Sequence, residues 1–184
     1  MEYTPIGFAA KVAGAVVSRV GARVFGDWKE GCTPETTKDL KPGDLIEFAR
    51  SATFLHIPTY EHWGMWIGKT HNGKVDECGF MIHRAGEAGK ETSGKIKIHI
   101  TEFKGVIGTS KWRVNNKPTP HANTSITGAQ AVKRAMTKLN EEGYDLGYKN
   151  CEHFVKWARF DEAYSEQASS VGQGVSSLIG KAAS

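Results

Sequence analysis

Residues 150–157 read NCEHFVKW. Asn150 is a favoured helix N-cap residue, so Cys151 falls in the first turn of a predicted helix. Backbone N–H groups at that end stabilise negative charge. A thiol placed there has a lowered pKa and is a better nucleophile near neutral pH. Such a nucleophile needs a base, and the base needs an orienting group. These partners usually lie far off in sequence. Seven histidines supply the candidates. His62 opens HWGMWIG (62–68), and His83 lies in GFMIHRAG (79–86). Between them Asn72-Gly73 is a strong hairpin signal. Antiparallel strands joined by that turn would set the two imidazoles side by side. In a Cys–His–His arrangement His62 takes the thiol proton. His83 then holds its ring and stabilises the imidazolium.

Residue types alone leave other readings open. Cysteine is commonly a small buried hydrophobe, and a histidine at a strand start is commonly structural. A metal site built from Cys78, His83, Cys151 and His153 has no CxxC or HxxxH pair behind it. His153 lies about 200° round the helix from Cys151, so it faces away from the thiol and caps or packs. His56, His71, His99 and His121 fall in loops or on an exposed strand face and receive no role.

The elements that must position these groups are legible. KPGD (41–44) is a turn, and DLIEFAR (44–50) is a strand. SATFLHIPTY (51–60) is a loop before the strand of His62. KIKIHITEF (95–103) alternates Lys with apolar residues as a half-exposed strand, and SKWRVNN (110–116) is a fifth strand. Together they form an antiparallel meander. Thr127 and Gln130 have capping-box spacing. Ala131, Val132, Ala135, Met136 and Leu139 then make one apolar helical face, with Gly143 as its C-cap. The helix of Cys151 follows, with Phe154, Val155 and Ala158 on it.

At the N-terminus, PIGFAAKVAGAVVSRVGARVFG (5–26) sets apolar residues opposite Lys11, Arg19 and Arg23. This is a basic amphipathic helix that suits either a membrane interface or its own domain. The division expected is 1–26 helical segment, 27–40 linker, 41–163 main domain and 164–184 a flexible Ser/Gly/Ala-rich tail.

A chain of 184 residues with net charge +4 fits one soluble domain with mild attraction to anionic surfaces. Nucleic-acid binding fails on pattern, since the Lys residues of KIKIHI read as a solvated strand and no glycine-rich phosphate loop exists. Three cysteines without regular spacing argue against a disulfide framework and favour a reducing, cytoplasmic compartment. No signal peptide and no membrane-spanning run are expected.

PGDLIEF (42–48), HWGMWIG, IHR (82–84) and NCEHFV (150–155), in that order, resemble the lecithin:retinol acyltransferase-like family, on the side of its phospholipase A and acyltransferase group. The resemblance covers roughly residues 40–160. It implies an α+β fold, an antiparallel β-meander packed on helices, like a circularly permuted papain-like cysteine enzyme. It also implies Cys151 as nucleophile, His62 as base, His83 as orienting histidine and Tyr60 as an aid to the oxyanion. The backbone N–H of Cys151 is expected to be the second oxyanion donor.

The implied reaction is acyl transfer from a membrane glycerophospholipid through an acyl-thioester, with water, an amine or a lysolipid as acceptor. It needs no metal or organic cofactor. A membrane substrate would give the N-terminal helix a purpose at the lipid surface. The chain departs from the family pattern in a longer stretch between His62 and His83, extended by KTHNGKVDEC (69–78). No C-terminal hydrophobic anchor is expected, since the apolar patch near the end, SSLIG, is too short to span a bilayer. A cysteine peptidase or amidase on the same fold, and a non-catalytic membrane-associated regulator, are the competing readings.

Overall fold

A computed structural model describes residues 25–50, 61–86, 95–118, 121–143 and 150–162. The turn at Lys41–Asp44 starts the sheet: Asp44 Oδ2 accepts from the Lys41 N–H and Oδ1 accepts from Asn116 Nδ2 at 2.9 Å. The chain continues into β2 (Leu45–Ala49). Strands β3 (Glu61–His71) and β4 (Lys74–Ala85) run the full way to the Asn72-Gly73 turn, longer than the sequence reading had them. Both turn residues have positive φ, 48° and 76°, as the tight primed hairpin turn requires.

β5 (Lys97–Glu102) pairs with β4. The helical turn α2 (Phe103–Ile107) then carries the chain across to β6 (Lys111–Val114). β6 does not extend the meander beside β5. It returns to the far side of β2, and with β1 (Lys29–Glu30) at the edge the sheet order is β1-β6-β2-β3-β4-β5. Its apolar and aromatic face decides this: Trp112 lies opposite Phe48 and is fully buried there.

The stretch expected as a linker holds β1 (Lys29–Glu30), paired with β6, and a capped turn α1 (Pro34–Thr37). Phe25, at the end of the N-terminal segment, bridges to Asn115. The rest of the expected amphipathic helix, the loop 51–60 with Tyr60, and the C-terminal tail lie outside the described residues.

The capping box at Thr127 and Gln130 forms as its spacing predicts and starts α3 (Gly128–Met136). The helix ends at Met136, earlier than Gly143. The chain turns at Asn140, and residues 140–143 run along β5. There the Asn140 N–H donates to the Ile98 carbonyl at 2.8 Å and the Gly143 N–H to Ile96 at 3.0 Å. Covering a sheet edge satisfies its backbone groups, and that outcompetes two further turns of helix. Asn150 caps α4 (Cys151–Phe160).

Each sheet face has its own core. Leu45, Trp63, Met65, Ile82 and Ile98 pack under α3 and α4. Ile46, Phe48, Trp66, Met81 and Trp112 pack with α2 on the other side.

Cys32 and Cys78 form a disulfide, with Cα atoms 5.9 Å apart across 46 residues of sequence. This corrects the sequence reading. The two thiols have no local spacing relation and meet only because the segment after β1 crosses over β4. The argument from cysteine number for a reducing compartment falls with it. Cys151 takes no part in the bridge and keeps its thiol, which is buried.

Candidate active site

The first turn of α4 is built by Asn150. Its backbone is extended (φ −90°, ψ 176°) and its Oδ1 accepts from the His153 N–H at 2.8 Å. Glu152 in the first turn and Arg159 in the last suit the helix dipole. Cys151, Val155 and Ala158 follow at i, i+4 and i+7, so one stripe seats them against the sheet. Cys151 is 2% exposed. His153 is buried beside the cap, in keeping with a packing role.

His62 and His83 meet. Nε2 of His62 lies 2.8 Å from Nδ1 of His83, with the rings edge to face. The contact extends further: Nε2 of His83 lies 3.2 Å from Thr101 Oγ1, which is 3.4 Å from Nδ1 of His99. The His99 ring stacks on His83 with centroids 4.6 Å apart. Burial pushes the pKa of His62 down to about 3 and so favours its neutral imidazole, and Arg50 and His99 act in the same direction. Burial likewise pushes His83 well below the usual histidine range, helped by the neighbouring imidazoles. Arg50 is fixed here by α2, its guanidinium donating to the carbonyls of Val106 and Ile107.

His62 and Trp63 are neighbours on β3 and point to opposite faces of the sheet. Successive side chains of a strand point to opposite faces. Trp63 packs in the α4 cluster with Cys151. His62 faces the α2 side, its ring 5.7 Å from that of Phe48. The structure thus brings the two histidines together and seats Cys151 in the cluster on the α4 side, with β3 common to both. Tyr60 lies outside the described residues. Cys78, half of the disulfide, is removed from any metal set, and among the described residues no three His, Cys, Asp or Glu side chains are grouped to hold a metal.

The α4 face also carries a buried ionic network that sequence reasoning missed. Glu47, fully buried, accepts from Arg113 Nε and Nη2 at 2.9 and 2.8 Å and from Asn115 Nδ2 at 2.6 Å. The Arg113 guanidinium lies over Phe25 and Trp28, 3.9 and 4.3 Å from the ring centroids. Glu152 and Lys156, next to the thiol, form a buried ion pair at 2.8 Å. Lys156 also lies over the Trp63 ring at 5.2 Å. Glu61 faces this network, and its pKa is pushed up to about 7, first by burial and then by the Glu47 charge.

The alternation of DLIEFAR contains the signal for Glu47, a lone acid between apolar residues in a strand buried on both sides. The signal for Thr101 and His99 was their i, i+2 spacing, which gives them one face. The Lys residues around them made that face read as solvated.

An antiparallel sheet with a buried histidine pair, packed against a helix that begins with cysteine, is an arrangement suited to thiol chemistry. Residues 38–164 match the sequence model of the family described as Lecithin retinol acyltransferase. The chain is 31% identical to Phospholipase A and acyltransferase 1 of Rattus norvegicus over 129 residues, 69% of this chain and 72% of that protein. It is 30% identical to Phospholipase A and acyltransferase 3 of Pongo abelii over 160 residues, 76% of this chain and 88% of the relative. Phospholipase A and acyltransferase 4 of Homo sapiens is 28% identical over 161 residues, 78% of this chain and 85% of that one. The chain belongs to the lecithin retinol acyltransferase family, and its similarity to these relatives supports an enzyme of the acyltransferase or phospholipase kind. Among the described residues no helix is long and apolar enough to cross a membrane.

Proposed function

We propose that this protein is a thiol-dependent phospholipase and acyltransferase that takes an acyl group from a membrane glycerophospholipid. The observation that carries the reading is the buried His62–His83 contact at 2.8 Å, on the strand against which the cysteine helix packs. Family membership and the names of the relatives add to it.

On this reading Cys151 Sγ attacks the ester carbonyl carbon as its proton passes to Nδ1 of His62. The C–O bond then breaks, the proton goes to the departing lysolipid oxygen, and an acyl-thioester remains. Water, an amine or a lysolipid next gives its proton to His62 and attacks the thioester, and the thiol is restored. His62 is held neutral in the resting site, so its imidazole has a lone pair to receive the thiol proton as attack proceeds. The first-turn N–H groups of α4 and the Tyr60 hydroxyl are assigned to the oxyanion.

The reading requires the ends of two elements to meet. His62 is the second residue of β3 and Cys151 the first of α4. Sγ must come within about 3–3.5 Å of Nδ1 of His62 for proton transfer. The circularly permuted papain-like arrangement implied by the resemblance would bring this about. The basic N-terminal segment would hold the site at the lipid surface.

The test is to incubate the protein with phosphatidylcholine vesicles and to measure fatty-acid release and the intact mass. An acyl adduct on Cys151 and fatty-acid release, both absent from Cys151→Ala, are expected. Folded wild-type protein that gives neither, or a Cys151→Ala variant that still releases fatty acid, would sink the proposal.

A further inference from the structure

We propose that Thr101 is a positioning residue whose hydroxyl decides which nitrogen of His62 carries the proton. The inference rests on the reading of His62 as the base. A neutral imidazole has one N–H and one lone pair. His83 uses both nitrogens, Nδ1 toward His62 at 2.8 Å and Nε2 toward Thr101 Oγ1 at 3.2 Å. The row therefore has two directions.

In the first, Thr101 accepts from Nε2–H of His83, and Nδ1 of His83 accepts from Nε2–H of His62. Nδ1 of His62 then has a lone pair and can take the thiol proton. In the second, Thr101 donates to His83, His83 donates to Nε2 of His62, and Nδ1 of His62 carries a hydrogen. That tautomer cannot act as the base. A threonine hydroxyl can serve either direction, so its other neighbour decides. That neighbour is His99, whose Nδ1 lies 3.4 Å from Oγ1 and whose ring stacks on His83. We take His99 as the neutral tautomer protonated on Nε2, so that its Nδ1 accepts the hydroxyl hydrogen; the hydroxyl then keeps its lone pairs for His83, and the first direction wins. Sheet register makes this possible: His99 lies opposite His83, and Thr101 follows two residues later on the same face of β5.

Valine at this position keeps the shape and removes the acceptor, which leaves Nε2–H of His83 buried without a partner. The tautomer protonated on Nδ1 then gains.

The experiment is two-bond proton–nitrogen NMR on protein labelled with nitrogen-15 in histidine, together with fatty-acid release from phosphatidylcholine vesicles. The expected wild-type spectrum has His62 and His83 both protonated on Nε2. Thr101→Ser keeps that spectrum and a rate within about three-fold of wild type. Thr101→Val populates Nδ1–H and lowers kcat by roughly 10- to 100-fold with KM little changed, since a fully wrong tautomer costs up to about ten-thousand-fold. His99→Phe, which keeps a stacking ring and removes Nδ1, shifts the same populations part-way.

Nδ1–H on either histidine in the wild type, or a Thr101→Val variant with an unchanged spectrum, overturns the proposal. A wild-type protein without lipase activity defeats the proposed function instead, and the tautomer spectra still decide the role of Thr101.

Discussion

His83 reaches His62 on the diagonal. The residue opposite His83 is Gly64, and His62 itself lies opposite Phe48. Diagonal neighbours on adjacent strands are normally about 7–8 Å apart at Cα, within reach of long or aromatic side chains. Two imidazoles can span that gap here because Gly64 puts no side chain between them. A Cβ on Gly64 would run into the Met81 methyl group and stand 3.2 Å from His83 Cβ.

This predicts a large effect from a small change. Gly64→Ala is expected to destabilise the protein by about 1–3 kcal/mol, as overpacking does. It should also displace the His83 ring and loosen the 2.8 Å contact. Urea denaturation reads the first effect and fatty-acid release the second. Shortening Met81 in the same protein should recover more stability than activity, because it relieves the methyl clash and leaves the His83 contact. A Gly64→Ala variant with wild-type activity would show that the diagonal contact is not needed.

Acid should weaken this fold through the histidine pair. The pKa of His62 falls from 6.5 to about 3 on folding. Across that range the unfolded chain binds a proton that the folded chain excludes, so stability drops as pH falls. Each such histidine contributes up to about 1.4 kcal/mol per pH unit. His83→Gln should make the loss of stability between pH 6 and 4 less steep, measured by urea midpoints at a series of pH values. An equal slope in the two proteins would place the acid sensitivity elsewhere.

Glu61 acts with the opposite sign. Its pKa rises on folding from 4.5 to about 7. The folded chain holds this proton longer, so stability is lost as pH rises through that window. Glu61→Gln removes the negative charge that faces Glu47 and Glu152. The variant should melt higher than wild type at pH 8 and nearly level with it at pH 5. Scanning calorimetry at the two values gives the answer, and a variant less stable at pH 8 would refute it.

The disulfide should stabilise the fold by restricting the unfolded chain. Its loop spans 46 residues, and reduction or the double change Cys32→Ser, Cys78→Ser should remove about 2–4 kcal/mol. Alkylation after unfolding should label only Cys151 without reductant and all three cysteines with it. Three labelled cysteines in freshly prepared, unreduced protein would argue against the bridge.

Much of the frame was legible because it rests on local chemistry. Asn150 and the Thr127/Gln130 pair mark helix starts by side-chain hydrogen bonds that reach only three residues. Asn72-Gly73 marks a turn by its tolerance of positive φ. That turn was enough to bring His62 and His83 onto neighbouring strands. The end of α3 was missed because nothing local competes with helix there. The winning interaction is the pairing of residues 140–143 with an edge strand forty residues away. His99 was passed over because Lys97 and Lys95 made its face look solvated, whereas the neighbouring strand supplies His83 to cover it.

By itself, then, the sequence determined the types of the longer strands and of the two helices Gly128–Met136 and Cys151–Phe160, the hairpin, the cap beneath Cys151 and the ordered motifs that mark the family. These follow from propensity and short-range hydrogen bonds, which need no knowledge of distant residues. Tertiary structure alone decided the return of β6 to β2, the Cys32–Cys78 bridge, the buried network around Glu47, and the face on which each candidate group lies. Those depend on register, where a shift of one residue moves a side chain to the other face, and on partners brought together only when both layers pack against the sheet.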